Sequence, residues 1–429
     1  MRYKSLPTEF YTRKRAELLN MIKPKSLVIV NSNDEMPRNG DQTFPYRQNS
    51  DFFYLTGLDQ EKCILTLCPD HPVESMREIL FTVKTSEHMV TWYGFKYTFE
   101  EAKQLSGIQN IKWLDEFDMT LKDLMSRVDR VYLNQNEYTK FSTEVTSKDL
   151  RFAQKIKGEF PMHGTERLAP LITQLRMVKE QYEIEQMQRA CNITGDAFRR
   201  VLGFVKPGVL EYEIEAEISH EFIRKGCNGH SYAPIIASGA NACILHYVNN
   251  DRVCADGDLL LMDFGAEYGL YAADLSRTIP VNGKFNPRQR EVYEAVLRLL
   301  KYGMSTCIPG KNIDSWHKGV TVMMEKELLG LGLITQEDIA KQTDAAPAYF
   351  KYYMHGTGHF LGLDVHDVGS RQDIFKEGMV ITVEPGIYIP EEGIGIRLEN
   401  DVMIAEKPVN LMASIPIEPD EIEALMLKK

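Results

Sequence analysis

Short apolar runs rich in β-branched residues alternate with stretches of helical period through the first part of the chain. The strand-type runs fall at 26–30, 63–67, 78–83 and 128–133, and the helical stretches at 9–21 and 114–125. This alternation predicts a small α/β domain. Gly and Pro interrupt it at 162–170 (MHGTERLAP), so the first domain is read as 1–168 and the second as 169–429.

Beyond that break, 178–205 reads as a long amphipathic helix with Ile184, Met187, Ala190, Cys191 and Ile193 on its apolar side. A second helix is predicted at 211–224. The texture then turns to strands at 230–238, 258–266, 270–281, 379–384 and 394–399, with helices at 288–306 and 313–329 between them. Strands with helices grouped around them predict an α+β second domain.

Several of those strands carry charge where apolar residues are expected. Asp263 sits in DLLLMDFG (258–265), and a carboxylate there is costly unless it is paired, hydrogen-bonded or bound to a metal. On this residue alone, a buried Asp holding a backbone donor is an equally good reading. A two-residue hairpin loop at Tyr268 and Gly269 would set Asp263 directly opposite Asp274. Their Cβ atoms would then be about 4.5–5.5 Å apart, a like-charge pair that a cation would relieve. Downstream, Gly395, Arg397 and Glu399 share one face of a strand and Ile394, Ile396 and Leu398 the other. Arg397 and Glu399 read either as a surface ion pair or as the polar side of a cleft. Glu384 closes the run MVITVE (379–384) before Pro385-Gly386 and, taken alone, is an ordinary strand-end glutamate.

The histidines concentrate. Three of the ten, His355, His359 and His366, fall within HGTGHFLGLDVHD (355–367). The H-x-x-x-H spacing imitates a helical zinc pair, but Gly356 and Gly358 disfavour a helix and the H-E-x-x-H glutamate is missing. His246, in CILHY (243–247), is expected at the end of a strand. Four carboxylates and one neutral imidazole would carry about four negative charges, which suits two divalent cations, and an oxygen-rich set favours Mn²⁺ with Co²⁺, Zn²⁺ or Fe²⁺ as substitutes.

Composition narrows the class. A formal net charge of −11 over 429 residues disfavours nucleic acid and anionic membranes as partners. No apolar run approaches the ~20 residues of a membrane span, and the first residues lack the apolar core of a secretory signal. Seven scattered cysteines without a C-x-x-C pair indicate neither a disulfide framework nor a thiolate zinc site. A cytoplasmic protein is expected.

The segment HGTGHFLGLDVHD, with DFGAEYGLYAAD (263–274) before it and VEPGIYI (383–389) and GIRLE (395–399) after it, resembles the pita-bread metallopeptidases. These are the aminopeptidases P (Xaa-Pro aminopeptidases), prolidases and methionine aminopeptidases. The resemblance spans about residues 175–410 and implies a pita-bread (creatinase/aminopeptidase) catalytic domain. FPYRQNSDFFYLTG (44–57) resembles the N-terminal domain of aminopeptidase P, which methionine aminopeptidases lack and prolidases share in related form.

What the resemblance implies is specific. The family's metal ligands fall on Asp263, Asp274, His359, Glu384 and Glu399. Asp263 would chelate one metal, Asp274 and Glu399 would bridge, and His359 with Glu384 would complete the second. A hydroxide held between the metals would cleave the N-terminal Xaa-Pro bond, with Glu384 carrying the proton to the leaving nitrogen. His246 and His366 would bind substrate and stabilise the tetrahedral intermediate, His355 would line the proline side, and Arg397 with Tyr388 would steer the ligands. Trp92 is a further candidate for the proline slot, supplied from a neighbouring subunit. A homodimer or homotetramer acting on peptides with proline second is expected. The alternatives are an Xaa-Pro dipeptidase (prolidase), a catalytically inactive pita-bread binding module, and a metal-free amidinohydrolase of the creatinase type.

Overall fold

A computed structural model describes residues 2–141 and 143–427. Its internal contacts divide the chain into a unit of Ser5–Arg176 and one that begins at Met177 and takes in the first residues.

The Ser5–Arg176 unit is built on a six-stranded sheet. Its order is Asn110–Trp113, Glu78–Thr82, Ile64–Leu67, Ser26–Asn31, Arg130–Leu133, Gly164–Arg167. Strand Ser26–Asn31 is buried along its whole length because it lies inside the sheet, antiparallel to one neighbour and parallel to the other. Helix Phe117–Met125 covers one face, placing Phe117, Leu121, Leu124 and Met125 against Leu27, Ile29, Phe81 and Val131. The Phe81 and Phe117 rings meet edge-on at 5.1 Å. This helix starts later than its pattern predicts, since Leu114–Glu116 forms a 3₁₀ turn first.

A buried carboxylate sits in this unit. Asp149 accepts the amide of Asn31 and that of Asn49, each at 3.3 Å. Asn49 cannot turn away, because its own oxygen caps helix Ser50–Thr56 through the backbone N–H groups of Asp51 and Phe52. Burial, reinforced by the charge of Asp51, raises the Asp149 carboxyl to about 7.

The second unit carries the predicted helices: Gln181–Phe204, Glu211–Arg224, Pro287–Thr306 and Ile313–Gly330. The first buries Met187, Ala190, Cys191 and Ile193 and packs on Glu211–Arg224 and on strand Ala266–Tyr268. Strand Leu259–Phe264 lies between Ile235–Ser238 and Leu275–Pro280, antiparallel to both. A second small sheet orders Tyr271–Ala272, Ala266–Tyr268, Gly229–His230; a third orders Val380–Val383, Asn400–Met403, Val409–Asn410. Gly386–Ile389 pairs with Ile394–Arg397 as a hairpin. Among the described residues no helix is long and apolar enough to cross a membrane.

Three expectations need correction. The long strands predicted at 230–238, 258–266 and 270–281 are each broken, so that each contributes to two small sheets. The break at Gly265 comes from close approach: a Cβ there would lie 1.7 Å from the carbonyl oxygen of Ala273. Second, the hairpin turns at Gly269 and Leu270, whose φ angles are +60° and +66°, with Tyr268 facing Tyr271. Positive φ at both loop positions is what a tight hairpin of this hand requires, and burial of the Leu270 side chain offsets its cost. The register therefore slips, and Asp263 faces Ser276 rather than Asp274. Third, His246 lies in a turn after the 3₁₀ helix Gly239–Cys243, not at a strand end.

The raised Asp149 predicts a pH dependence. A carboxyl with a folded pKa above its unfolded one binds more protons when folded, so stability falls as pH rises between about 4 and 7. Asp149→Asn should therefore gain on wild type by a few kcal/mol between pH 5 and pH 8. Urea melts of both proteins at the two pH values measure this difference.

Candidate metal centre

The site forms where the small sheets of the second unit end. Asp263 comes from strand Leu259–Phe264, and Asp274 from the break between Tyr271–Ala272 and Leu275–Pro280. Glu384 follows strand Val380–Val383, while Glu399 lies between Ile394–Arg397 and Asn400–Met403. His355 and His359 belong to an irregular segment, as Gly356 and Gly358 predict. That segment is pressed onto the sheet: Thr382 N–H donates to the His359 carbonyl at 2.9 Å, and a Cβ on Gly358 would fall 2.0 Å from the Thr382 oxygen.

Contacts close these residues into a ring. The Tyr232 hydroxyl contacts Asp263 at 2.6 Å and also Asp274. Asp274 Oδ2 lies 3.4 Å from His359 Nε2, which lies 3.7 Å from Glu384 Oε1. Glu384 Oε2 is 3.7 Å from His355 Nδ1, and His355 Nε2 is 2.9 Å from the Tyr388 hydroxyl. Arg397 closes the circuit, donating to the Tyr388 oxygen at 2.9 Å and to Asp263 at 2.6 Å. Glu399 joins through Ser276, whose hydroxyl donates to it at 2.7 Å and accepts from Arg397 Nε at 2.8 Å. Ligand atoms of Asp274, His359 and Glu399 all lie within 4.8 Å of one another.

Hydrogen bonds fix both tautomers. His359 Nδ1 is 3.0 Å from the Phe360 carbonyl, so it carries the proton and Nε2 faces the carboxylates. His355 Nδ1 is 2.8 Å from the Gly356 carbonyl, leaving Nε2 to accept from Tyr388. Burial, with Arg397 nearby and some contribution from His246, drives the His355 pKa down to about 3, so this ring is neutral.

The electrostatics test whether cations fit. Burial raises Asp263, Glu384 and Glu399, the second to about 7 and the third well above the carboxylate range, with neighbouring carboxylates adding to each. Burial works against charge on His359, yet its hydrogen bond to Asp274 and the carboxylates around it hold its pKa up at about 9. Only Arg397 and His359 offset four carboxylates in this ring. A field that recruits a proton onto an imidazole is one that divalent cations would satisfy better, and the oxygen-rich donors fit hard or borderline ions.

The chain matches the model of metallopeptidase family M24 over residues 185–406. It belongs to metallopeptidase family M24. Its N-terminal part matches the aminopeptidase P, N-terminal domain over residues 11–132. It is 36% identical to a Xaa-Pro aminopeptidase of Haemophilus influenzae, covering 98% of each chain. With a Xaa-Pro aminopeptidase of Escherichia coli the identity is 37%, covering 97% of each. Among solved structures, proline aminopeptidase P II from Yersinia pestis superposes with a TM-score of 0.88 at 35% identity, covering 99% of this chain and 100% of that one. The M24 protein thus has the pita-bread fold expected of its second domain, and it is a hydrolase.

Of the predicted site residues, Asp263, Asp274, His355, His359, Glu384, Tyr388, Arg397 and Glu399 share this one network. His366 packs edge-on against His359 at 4.3 Å between ring centres. His246 and His366 are exposed. Trp92 is 71% exposed on helix Glu87–Tyr93 of the other unit. Sequence reasoning missed Tyr232, Ser276, Thr382 and Asp401, the last accepting the Asp274 backbone N–H at 3.1 Å. Asp401 alone carried a signal: it is a second carboxylate two residues beyond Glu399, just ahead of the apolar run at 402–405.

Asp263→Ala removes one donor and leaves Arg397 without its carboxylate. Mn²⁺ affinity measured by calorimetry should weaken by tenfold or more. Wild-type affinity in a folded variant would refute a ligand role for Asp263.

Proposed function

We propose that this M24 hydrolase is an Xaa-Pro aminopeptidase, releasing the first residue from peptides with proline second. Asp263, Asp274, His359, Glu384 and Glu399 would hold two divalent metal ions, with Mn²⁺ the first choice for an oxygen-rich set. When bound, such a pair supplies Lewis acidity and lowers the pKa of a coordinated water. The observation that carries the reading is the closed circuit of buried carboxylates, histidines and Arg397, in a chain that aligns with Xaa-Pro aminopeptidases over nearly its full length.

The chain's own groups have separable tasks in this reading. Glu384 would take a proton from the attacking water on its carboxylate and deliver it to the leaving proline nitrogen. Arg397 holds Asp263 directly and Glu399 through Ser276, so both carboxylates keep one orientation. His355 stays neutral, and its ring packs on Tyr353 at 4.8 Å and Tyr388 at 5.5 Å. That packing offers an apolar flank for a proline ring, whose nitrogen has no hydrogen to donate. His246 and His366, both exposed, would bind the peptide and stabilise the charge that develops on its carbonyl oxygen.

The free cysteines support a cytoplasmic setting. Val90, Trp92, Tyr93 and Phe95, each at least half exposed, support self-association as a homodimer or homotetramer.

Peptide length tests the assignment. The Mn²⁺-loaded protein should cleave an Xaa-Pro-Xaa tripeptide as well as an Xaa-Pro dipeptide, with free first residue quantified by chromatography. Cleavage of the dipeptide alone would make it a prolidase, and cleavage of neither would remove the peptidase reading. Within the active enzyme, Glu384→Gln should lower kcat by a factor on the order of 10² or more, the usual scale of a lost proton carrier.

A further inference from the structure

Lys179 and Asp367 form an ion pair outside the carboxylate ring, with both side chains 1% exposed and Nζ 2.9 Å from Oδ2. Taking two charges out of water costs about as much as their attraction returns, so an apolar pair of like volume would hold the fold equally well. What the charges add is direction. Asp367 follows His366 immediately, and hydrogen bonds tie down the backbone around it.

Its backbone N–H donates to the Phe360 carbonyl at 2.9 Å, and its Oδ1 accepts the Asp364 N–H at 3.4 Å. Gly362, inside this loop, donates to Asp364 at 3.1 Å and accepts from Ala272 at 2.8 Å. No side chain fits at Gly362: a Cβ would lie 2.3 Å from Asp367 Oδ2 and 2.9 Å from Lys179 Cε. Lys179 is fixed in turn, its N–H donating to the Gly378 carbonyl at 2.9 Å, and helix Gln181–Phe204 begins two residues later. The loop therefore leaves from His359 and returns at His366, and the ion pair clamps its return. The two rings end edge-on, 4.3 Å apart at 80°.

We propose that the buried Lys179–Asp367 pair is a positioning device that sets the His366 imidazole against His359. Neither residue touches the reacting atoms. The inference rests on the reading of His366 as a substrate-facing group.

The test is a double-mutant cycle in the full-length, Mn²⁺-loaded protein. Lys179→Met/Asp367→Asn removes both charges together and leaves no buried ion unpaired, so the melting temperature should stay within a few degrees of wild type. Mn²⁺ affinity should be unchanged, because the metal ligands are untouched. On an Xaa-Pro-Xaa peptide, kcat should fall about tenfold or more, the scale of a misplaced group. In a His366→Ala background the same replacement should cost nothing further. Wild-type kcat in the folded double variant, or a loss that multiplies with that of His366→Ala, overturns the proposal. Should that variant fail to fold, Lys179→Met/Asp367→Leu replaces the pair with apolar side chains of similar volume, and the same criteria apply. His366→Ala with full activity overturns the reading of His366 and the positioning role together. An impaired His366→Ala beside a fully active ion-pair variant overturns the positioning role alone.

Discussion

Mutual repulsion among the buried carboxylates of Asp263, Asp274, Glu384 and Glu399 is the constraint that the rest of the site answers. In water four such groups would simply separate. Here they arrive on segments of several small sheets, and desolvation makes the charges of Asp263, Glu384 and Glu399 more expensive. The protein supplies a compensation of its own in the Arg397 guanidinium, which cannot leave, while the carboxylates hold the His359 pKa up. The remaining compensation is the part a divalent cation would provide, and with it the chemistry of a metallopeptidase.

Holding those groups in place falls to backbone packing more than to side chains. Gly265 and Gly358 let two chain segments come closer than any Cβ permits, which sets Asp274 and His359 beside the carboxylates. Gly395 does the same against the carbonyl of Ala242, at 2.2 Å from where a Cβ would stand. The hairpin between Asp263 and Asp274 follows the same logic: the turn takes its shape from positive φ at Gly269 and Leu270, and the acids fall where that turn leaves them.

Much of this was legible in the residues. Periodicity located the long helices and the α/β character of the first domain, because an apolar face must be buried whatever its neighbours. An aspartate in an apolar strand and three histidines in a short segment pointed to the site. Resemblance, rather than spacing, joined Glu384 to it. The hairpin register was misread because the turn places a leucine, not the preferred small residue, at its second position. Long predicted strands came apart because a strand that changes sheets keeps its apolar pattern while losing its partner. Tyr232 and Ser276 left no trace in the sequence, since a hydroxyl reads alike in a loop, a core or a site, and only the folded chain brings it to a carboxylate.

Arg397 shows how such a network would come apart. Its planar head sends Nε to Ser276, one terminal nitrogen to Tyr388 and the other to Asp263, so three branches meet at one residue. In the language of graphs it is a junction of degree three on an otherwise nearly linear loop. A lysine would keep the charge but cannot address three partners in one plane. Evolution or engineering can therefore retune this site one branch at a time, through Tyr388, Ser276 or Asp263, but any change at the junction reaches all three branches at once.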